Sequence, residues 1–175
     1  MHNFILIGFK NSGKTSVGKL LAERLRYQFL DTDQLIEQKY DILFKKKLTV
    51  REIYQQHGED FFRALENKII INLKPNNSRV IATGGGSVLK SENIKYLKLC
   101  GYIIYLAVDI DILSQRMFAQ TKPAFLEKNL DLANFYQQRE LYYRQTANVT
   151  VAITNESITE ITHNILNQCG VFYGE

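Results

Sequence analysis

The segment Gly8-Phe9-Lys10-Asn11-Ser12-Gly13-Lys14-Thr15 spaces two glycines, a lysine and a hydroxyl as G-x-x-x-x-G-K-[ST]. That pattern suits the binding of a nucleoside triphosphate. Glycines let the backbone curl so that its N–H groups face an anion. A helix starting behind them would add its positive N-terminal end. Lys14 is spaced to reach β- and γ-phosphate oxygens, and the Thr15 hydroxyl is spaced to ligate Mg²⁺. Gly8, Asn11, Ser12, Gly13, Lys14, Thr15 and Ser16 are therefore the candidate nucleotide contacts.

Two further clusters carry chemistry. Phe29-Leu30-Asp31-Thr32-Asp33 places two carboxylates at i, i+2 after an apolar run. One could hold a metal, Asp31 being the candidate. The other, Asp33, could orient or deprotonate an acceptor hydroxyl. The structural alternative is that an Asp here merely caps a helix starting near Gln34. Val80-Ile81-Ala82-Thr83 is followed by Gly84, Gly85 and Gly86, more glycine than a turn needs, which suggests close approach of a ligand to bare backbone.

The elements that must position these residues are legible as pattern. Short apolar runs at Phe4–Ile7, Gln28–Leu30, Val80–Thr83, Tyr102–Leu106 and Val149–Ile153 read as strands buried on both faces. Helical spacing predicts helices over Lys14–Arg26, Glu59–Leu73, Asn93–Leu99, Ile110–Phe118, Leu132–Thr146 and Ser157–Leu166. Ser157 with Glu160 is a candidate capping box. Strands alternating with helices predict an α/β fold of three layers, a five-stranded parallel sheet flanked by helices. Two stretches break the rhythm: residues 33–60, helical without a strand, and residues 119–131, which read as a loop. A single domain over 1–175 is expected, since the length suits one and no low-complexity linker divides it.

Composition narrows the classes. At 45% hydrophobic and 23% charged, the chain is globular rather than disordered or fibrous. Its apolar runs are too short to span a bilayer, and Lys10 and Lys14 follow the first of them rather than precede it, so no secretory signal is expected. Cys100 and Cys169 lack ligand spacing and read as free thiols, and His2, His57 and His163 are too scattered for a metal site. The charge of +4 leaves open a nucleic-acid partner, an anionic small substrate, or neither. Lys45-Lys46-Lys47, ahead of a helix start expected at Thr49, reads as a solvated face, and no nucleic-acid-binding module is recognisable.

Taken in order, GFKNSGKT, FLDTDQLIE, FFRALE, the glycine triplet and QRELYYRQTA resemble the shikimate kinase family over about residues 3 to 166. The resemblance implies a P-loop kinase fold of the nucleoside-monophosphate-kinase type. Residues of about 33–60 would bind the acceptor and about 119–131 would form a lid. It implies that ATP and Mg²⁺ are used to phosphorylate the 3-hydroxyl of shikimate. Asp33 matches the residue contacting the reacting hydroxyl, and Asp31 the one near Mg²⁺. Arg63 and Arg139 match the cations that grip the shikimate carboxylate. Gly85, with Gly84 and Gly86 beside it, matches a backbone contact to shikimate. Arg116 resembles the arginine that packs on adenine. Lys122 stands in Thr121-Lys122-Pro123-Ala124-Phe125, where the family's lid carries an arginine reaching the transferring phosphates. It keeps the charge and loses the planar fork. Lys14, Asp33 and Lys122 are the implied catalytic set.

Without the resemblance, Arg63 reads equally well as a helix-surface charge pairing with Glu59 or Glu66, and Arg139 as a solvated helix residue. Two other functions stay open at this point. One is a kinase of the same fold acting on gluconate or a nucleoside monophosphate. The other is a non-catalytic ATP-binding module. The expected partners are ATP/ADP and shikimate, without nucleic acid or membrane, for a cytoplasmic monomer.

Overall fold

The computed structural model describes residues 2–75, 77–118 and 132–170. The expected lid, with Lys122, lies outside them. Five strands form one parallel sheet in the order β2-β3-β1-β4-β5. They are β1 Asn3–Ile7, β2 Gln28–Asp31, β3 Arg79–Ala82, β4 Gly101–Val108 and β5 Val149–Ile153. β1 is central, with Ile5 paired to Ile81 of β3 on one side and Ile103 of β4 on the other. Every residue of β1 is buried, as a parallel strand covered by helices on both faces requires. The edge strands correct the sequence expectation. β2 and β5 are only partly buried, because an edge strand has one neighbour and less cover.

Among the described residues seven α-helices flank the sheet: α1 Lys14–Leu25, α2 Thr32–Phe44, α3 Val50–Ile70, α4 Ser91–Cys100, α5 Ile110–Phe118, α6 Leu132–Thr146 and α7 Ile158–Gln168. The predicted Ser157–Glu160 box caps α7. A second box, Thr49 with Glu52, starts α3. That helix runs from the start expected at Thr49 into the helix predicted from Glu59 as one element, with a kink at Gly58, where φ of 80° leaves the helical region. Ile36 and Tyr40 of α2 pack on Ile53, Phe62 and Leu65 of α3 in a small core of their own, apart from the main one around β1, β3 and β4. Residues 33–60 thus have their own packing beside the sheet.

Since the sheet is parallel, all strands end at one edge. The loop after β1 carries the phosphate motif, the turn after β2 carries Asp31 and Asp33, and the turn after β3 carries the glycine triplet. One edge therefore collects them, as the carboxyl ends of strands do in open α/β sheets.

Candidate active site

At that edge lies a cleft of about 460 Å³. It is lined by Asn11, Gly13, Lys14, Thr15 and Ser16 of the first loop, by Asp31 and Asp33, by Arg63, by Gly84, Gly85 and Gly86, and by Arg116 and Arg139. Gly8 and Ser12 sit behind the loop, where the Lys14 ammonium donates to the carbonyls of Gly8 at 2.9 Å and Phe9 at 2.7 Å and to Ser12 Oγ at 3.3 Å. The loop needs Gly13 for its shape, since φ there is 93°. Asn11 takes φ of 66°, which asparagine tolerates. Its carbonyl accepts from Arg116 Nη1 at 3.2 Å, tying α5 to the loop.

Asp31 settles the question of the cap. It is the N-cap of α2, accepting from the Asp33 N–H at 3.0 Å through Oδ1. Asp33, two residues on in the first turn, is left to face the cleft. The other Asp31 oxygen, Oδ2, accepts from Thr15 Oγ1 at 2.9 Å. A hydroxyl and a carboxylate so close are hard oxygen donors of the kind Mg²⁺ takes beside phosphates and water. Among the described residues no cluster of three or more His, Cys, Asp or Glu side chains could hold a metal, so a cation here would rest on these two groups and its other ligands would come from solvent and nucleotide.

Electrostatics separates the two central charges. Burial pushes the Asp33 carboxyl up from 3.8 to about 6, with the Asp31 carboxylate adding to the push and Lys14 opposing it. Burial brings Lys14 down from 10.5 to about 8, against the pull of Asp33 and Asp31. A carboxylate that titrates near neutrality is suited to accept a proton from a hydroxyl.

The glycine triplet is crowded by the protein itself. A Cβ at Gly84 would lie 2.8 Å from Asp33 Oδ1 and 3.0 Å from Glu66 Oε1. At Gly86 it would overlap the Arg63 guanidinium. The bare backbone is therefore what lets Asp33 and Arg63 occupy their places. Both partners foreseen for Arg63 are present, Glu66 at 2.7 Å and Glu59 at 3.5 Å. Burial works against its charge, but Glu66 and then Glu59 outweigh it and hold the pKa above the ordinary value. Glu66 itself is 1% exposed and also accepts from Ser87 Oγ at 2.8 Å. Arg139 is no solvated helix residue: it is buried, its guanidinium lies 4.1 Å from the centre of the Phe135 ring, and its Nη1 donates to the Gly85 carbonyl at 3.4 Å. Burial, with Arg63 nearby, lowers its pKa.

A family model described as shikimate kinase matches residues 10–170. The chain belongs to the shikimate kinase family. A shikimate kinase of Bacillus cereus is 31% identical, over 98% of this chain and 100% of that protein. One of Clostridium botulinum is 38% identical over 93% of this chain and 94% of its own. Among solved structures, the Acinetobacter baumannii shikimate kinase in complex with shikimate superposes with a TM-score of 0.82 at 28% identity, covering 97% of this chain and 93% of that one. The Aquifex aeolicus enzyme gives 0.81 at 27% identity, covering 96% of each. Membership makes this chain an ATP-dependent kinase of the shikimate pathway, in aromatic amino acid biosynthesis. No helix among the described residues is long and apolar enough to cross a membrane.

Several cleft residues escaped the sequence reading. Lys10, Arg51, Tyr54 and Phe62 line it, and Glu66 braces Arg63 from beneath. Only Glu66 had a signal, its i+3 spacing from Arg63. The others are ordinary helix or loop residues until the fold brings them round.

Proposed function

We propose that the cleft transfers the γ-phosphate of ATP to the 3-hydroxyl of shikimate, giving shikimate 3-phosphate and ADP. The supporting observation is the convergence of Asp33, Arg63, Arg139 and the glycine triplet opposite the Lys14 loop in one cleft. A hydroxylated carboxylic acid needs a proton acceptor at its hydroxyl and a fork-shaped cation at its carboxylate, and this wall offers both.

The roles follow from position. The loop from Gly8 to Ser16 would cradle the phosphates, and Lys14 would leave its carbonyl partners for their oxygens. Arg116, bound to the loop, would face the adenine side. Arg63, held in place by Glu66 and Glu59, and Arg139, over Phe135, would grip the carboxylate. Asp33 would align the hydroxyl and take its proton. Thr15 and Asp31 would hold Mg²⁺, which when bound neutralises phosphate charge. Residues of about 33–60 would form the acceptor-binding segment, and Lys122 in about 119–131 would close over the phosphates. We read the whole chain, 1–175, as one domain acting as a monomer in the cytoplasm.

The test is a coupled assay of ADP release with shikimate, gluconate or AMP as acceptor. Turnover should need shikimate. Turnover with another acceptor and none with shikimate would overturn the assignment. ATP binding without turnover on any acceptor would favour a non-catalytic module.

A further inference from the structure

Tyr143 has no part in the roles above, yet it is 1% exposed and sits at the back of the acceptor wall. A buried phenol must find an acceptor, and this one donates to the carbonyl of Gly85, 58 positions away in sequence. The ring is set by a partner on the sheet, Tyr105 of β4, stacked at 5.0 Å and 27°. The hydroxyl is therefore placed by the sheet and not by α6 alone. Tyr143 follows Arg139 by four residues, so the two share a helix face; their side chains hydrogen-bond each other, and both reach the same oxygen. Arg139 does so at a long 3.4 Å.

We propose that Tyr143 is a positioning residue for the acceptor site: by bonding both the Gly85 carbonyl and the Arg139 guanidinium it fixes the Gly85–Gly86 peptide and holds Arg139 where the acceptor carboxylate would meet it. This rests on the reading that Arg139 and the triplet contact the acceptor.

The Gly85 carbonyl and the Gly86 N–H belong to one planar trans peptide and point opposite ways. Pinning the carbonyl against α6 therefore aims that N–H away from α6. Three glycines in a row have no side chains to do this for themselves and would lose the most conformational freedom on being ordered. Arg139 is affected as well. Without the hydroxyl it loses its side-chain partner Tyr143 and keeps the half-buried Gly85 carbonyl, which has lost its other donor. Arg139 would then be drawn towards Gly85 and away from the acceptor.

Tyr143→Phe keeps the ring and its stacking on Tyr105 and removes only the hydroxyl. The expected result is a rise of about five- to tenfold in KM for shikimate, the worth of one hydrogen bond, with KM for ATP unchanged and kcat within about twofold. A merely structural role would lower Tm and the active fraction, hence apparent kcat, and leave KM alone. The second measurement is the same substitution in an Arg139→Lys background, where the effect on KM should be smaller, because only the share carried by the triplet remains. A KM for shikimate unchanged by Tyr143→Phe would overturn the proposal, as would the same fold-rise in both backgrounds. Failure of the wild-type chain to use shikimate at all would instead overturn the functional reading beneath it.

Discussion

Asp33 should make the protein less stable, and its removal should show this. The carboxyl titrates at 3.8 in an ordinary setting and at about 6 in the folded chain. A carboxyl whose pKa is raised by folding favours the folded state while protonated and loses that advantage as pH rises. The loss begins near 3.8, where the unfolded chain ionises first, and is complete just above 6. At about 1.4 kcal/mol per pH decade, the full penalty is about 3 kcal/mol. The attraction of Lys14 is already contained in that shift. The gain for Asp33→Asn at pH 8 is then about 3 kcal/mol, or roughly 6–12 °C in Tm for a chain of this size. The assay is thermal unfolding of the wild type and the variant, free of metal and nucleotide, at pH 8 and pH 5. The gain at pH 5 should be about half that at pH 8, since pH 5 lies midway through the window. The variant should also lose about 10²–10⁴ in kcat as the proton acceptor disappears. A variant no more stable than the wild type at pH 8, or a gain that ignores pH, would refute the claim that burial is what raises this carboxyl.

The same two groups predict a bell-shaped kcat/KM for the free enzyme, rising through about pH 6 as Asp33 ionises and falling through about pH 8 as Lys14 loses its proton; a profile flat from pH 5 to 9 in the coupled assay would contradict it. Gly86→Ala would drive a methyl into the Arg63 guanidinium, so KM for shikimate should rise at least about tenfold, with about 1–3 kcal/mol lost from overpacking in chemical denaturation. Glu66→Ala would leave Arg63 half-buried beside the exposed Glu59 alone; the expected loss is about 3 kcal/mol together with weaker shikimate binding, and an unchanged unfolding midpoint in urea would count against the brace. Chelating divalent ions should stop turnover, and Mg²⁺ should restore it.

How far the site could be read from the sequence depended on how local each contact was. The phosphate loop is a strand, a turn and a helix start within thirteen consecutive residues, Asn3–Thr15, and its residue types alone carry the geometry. The strand-end carboxylates and the triplet were equally visible, because a parallel sheet delivers strand ends to one edge. Arg63 and Arg139 could not be told from surface charges by spacing. What buries them is Glu66, Ser87, Phe135 and Gly85, and all but Glu66 and Phe135 come from another part of the chain. The triplet's crowding by Asp33 and Arg63 was hidden for the same reason. The sequence pointed to close approach, but not to what approaches. Edge position misled the reading of β2 and β5, since an apolar run does not reveal how many neighbours a strand will have.

The central place of β1 bears on how the chain is made. Its partners are β3, which begins at Arg79, and β4, which begins at Gly101. During synthesis at about 5–20 residues per second, β1 waits several seconds or more before its second neighbour exists. Through that interval Phe4, Ile5, Leu6 and Ile7 form an unpaired apolar ribbon, the kind of segment that recruits other chains. The rest of the cleft, from Gly84 to Arg116 and Arg139, is made later than the phosphate loop, so the nascent chain cannot use ATP binding in a finished site to hold itself together before then. Newly made protein should depend on chaperones early and gain protection from nucleotide only late.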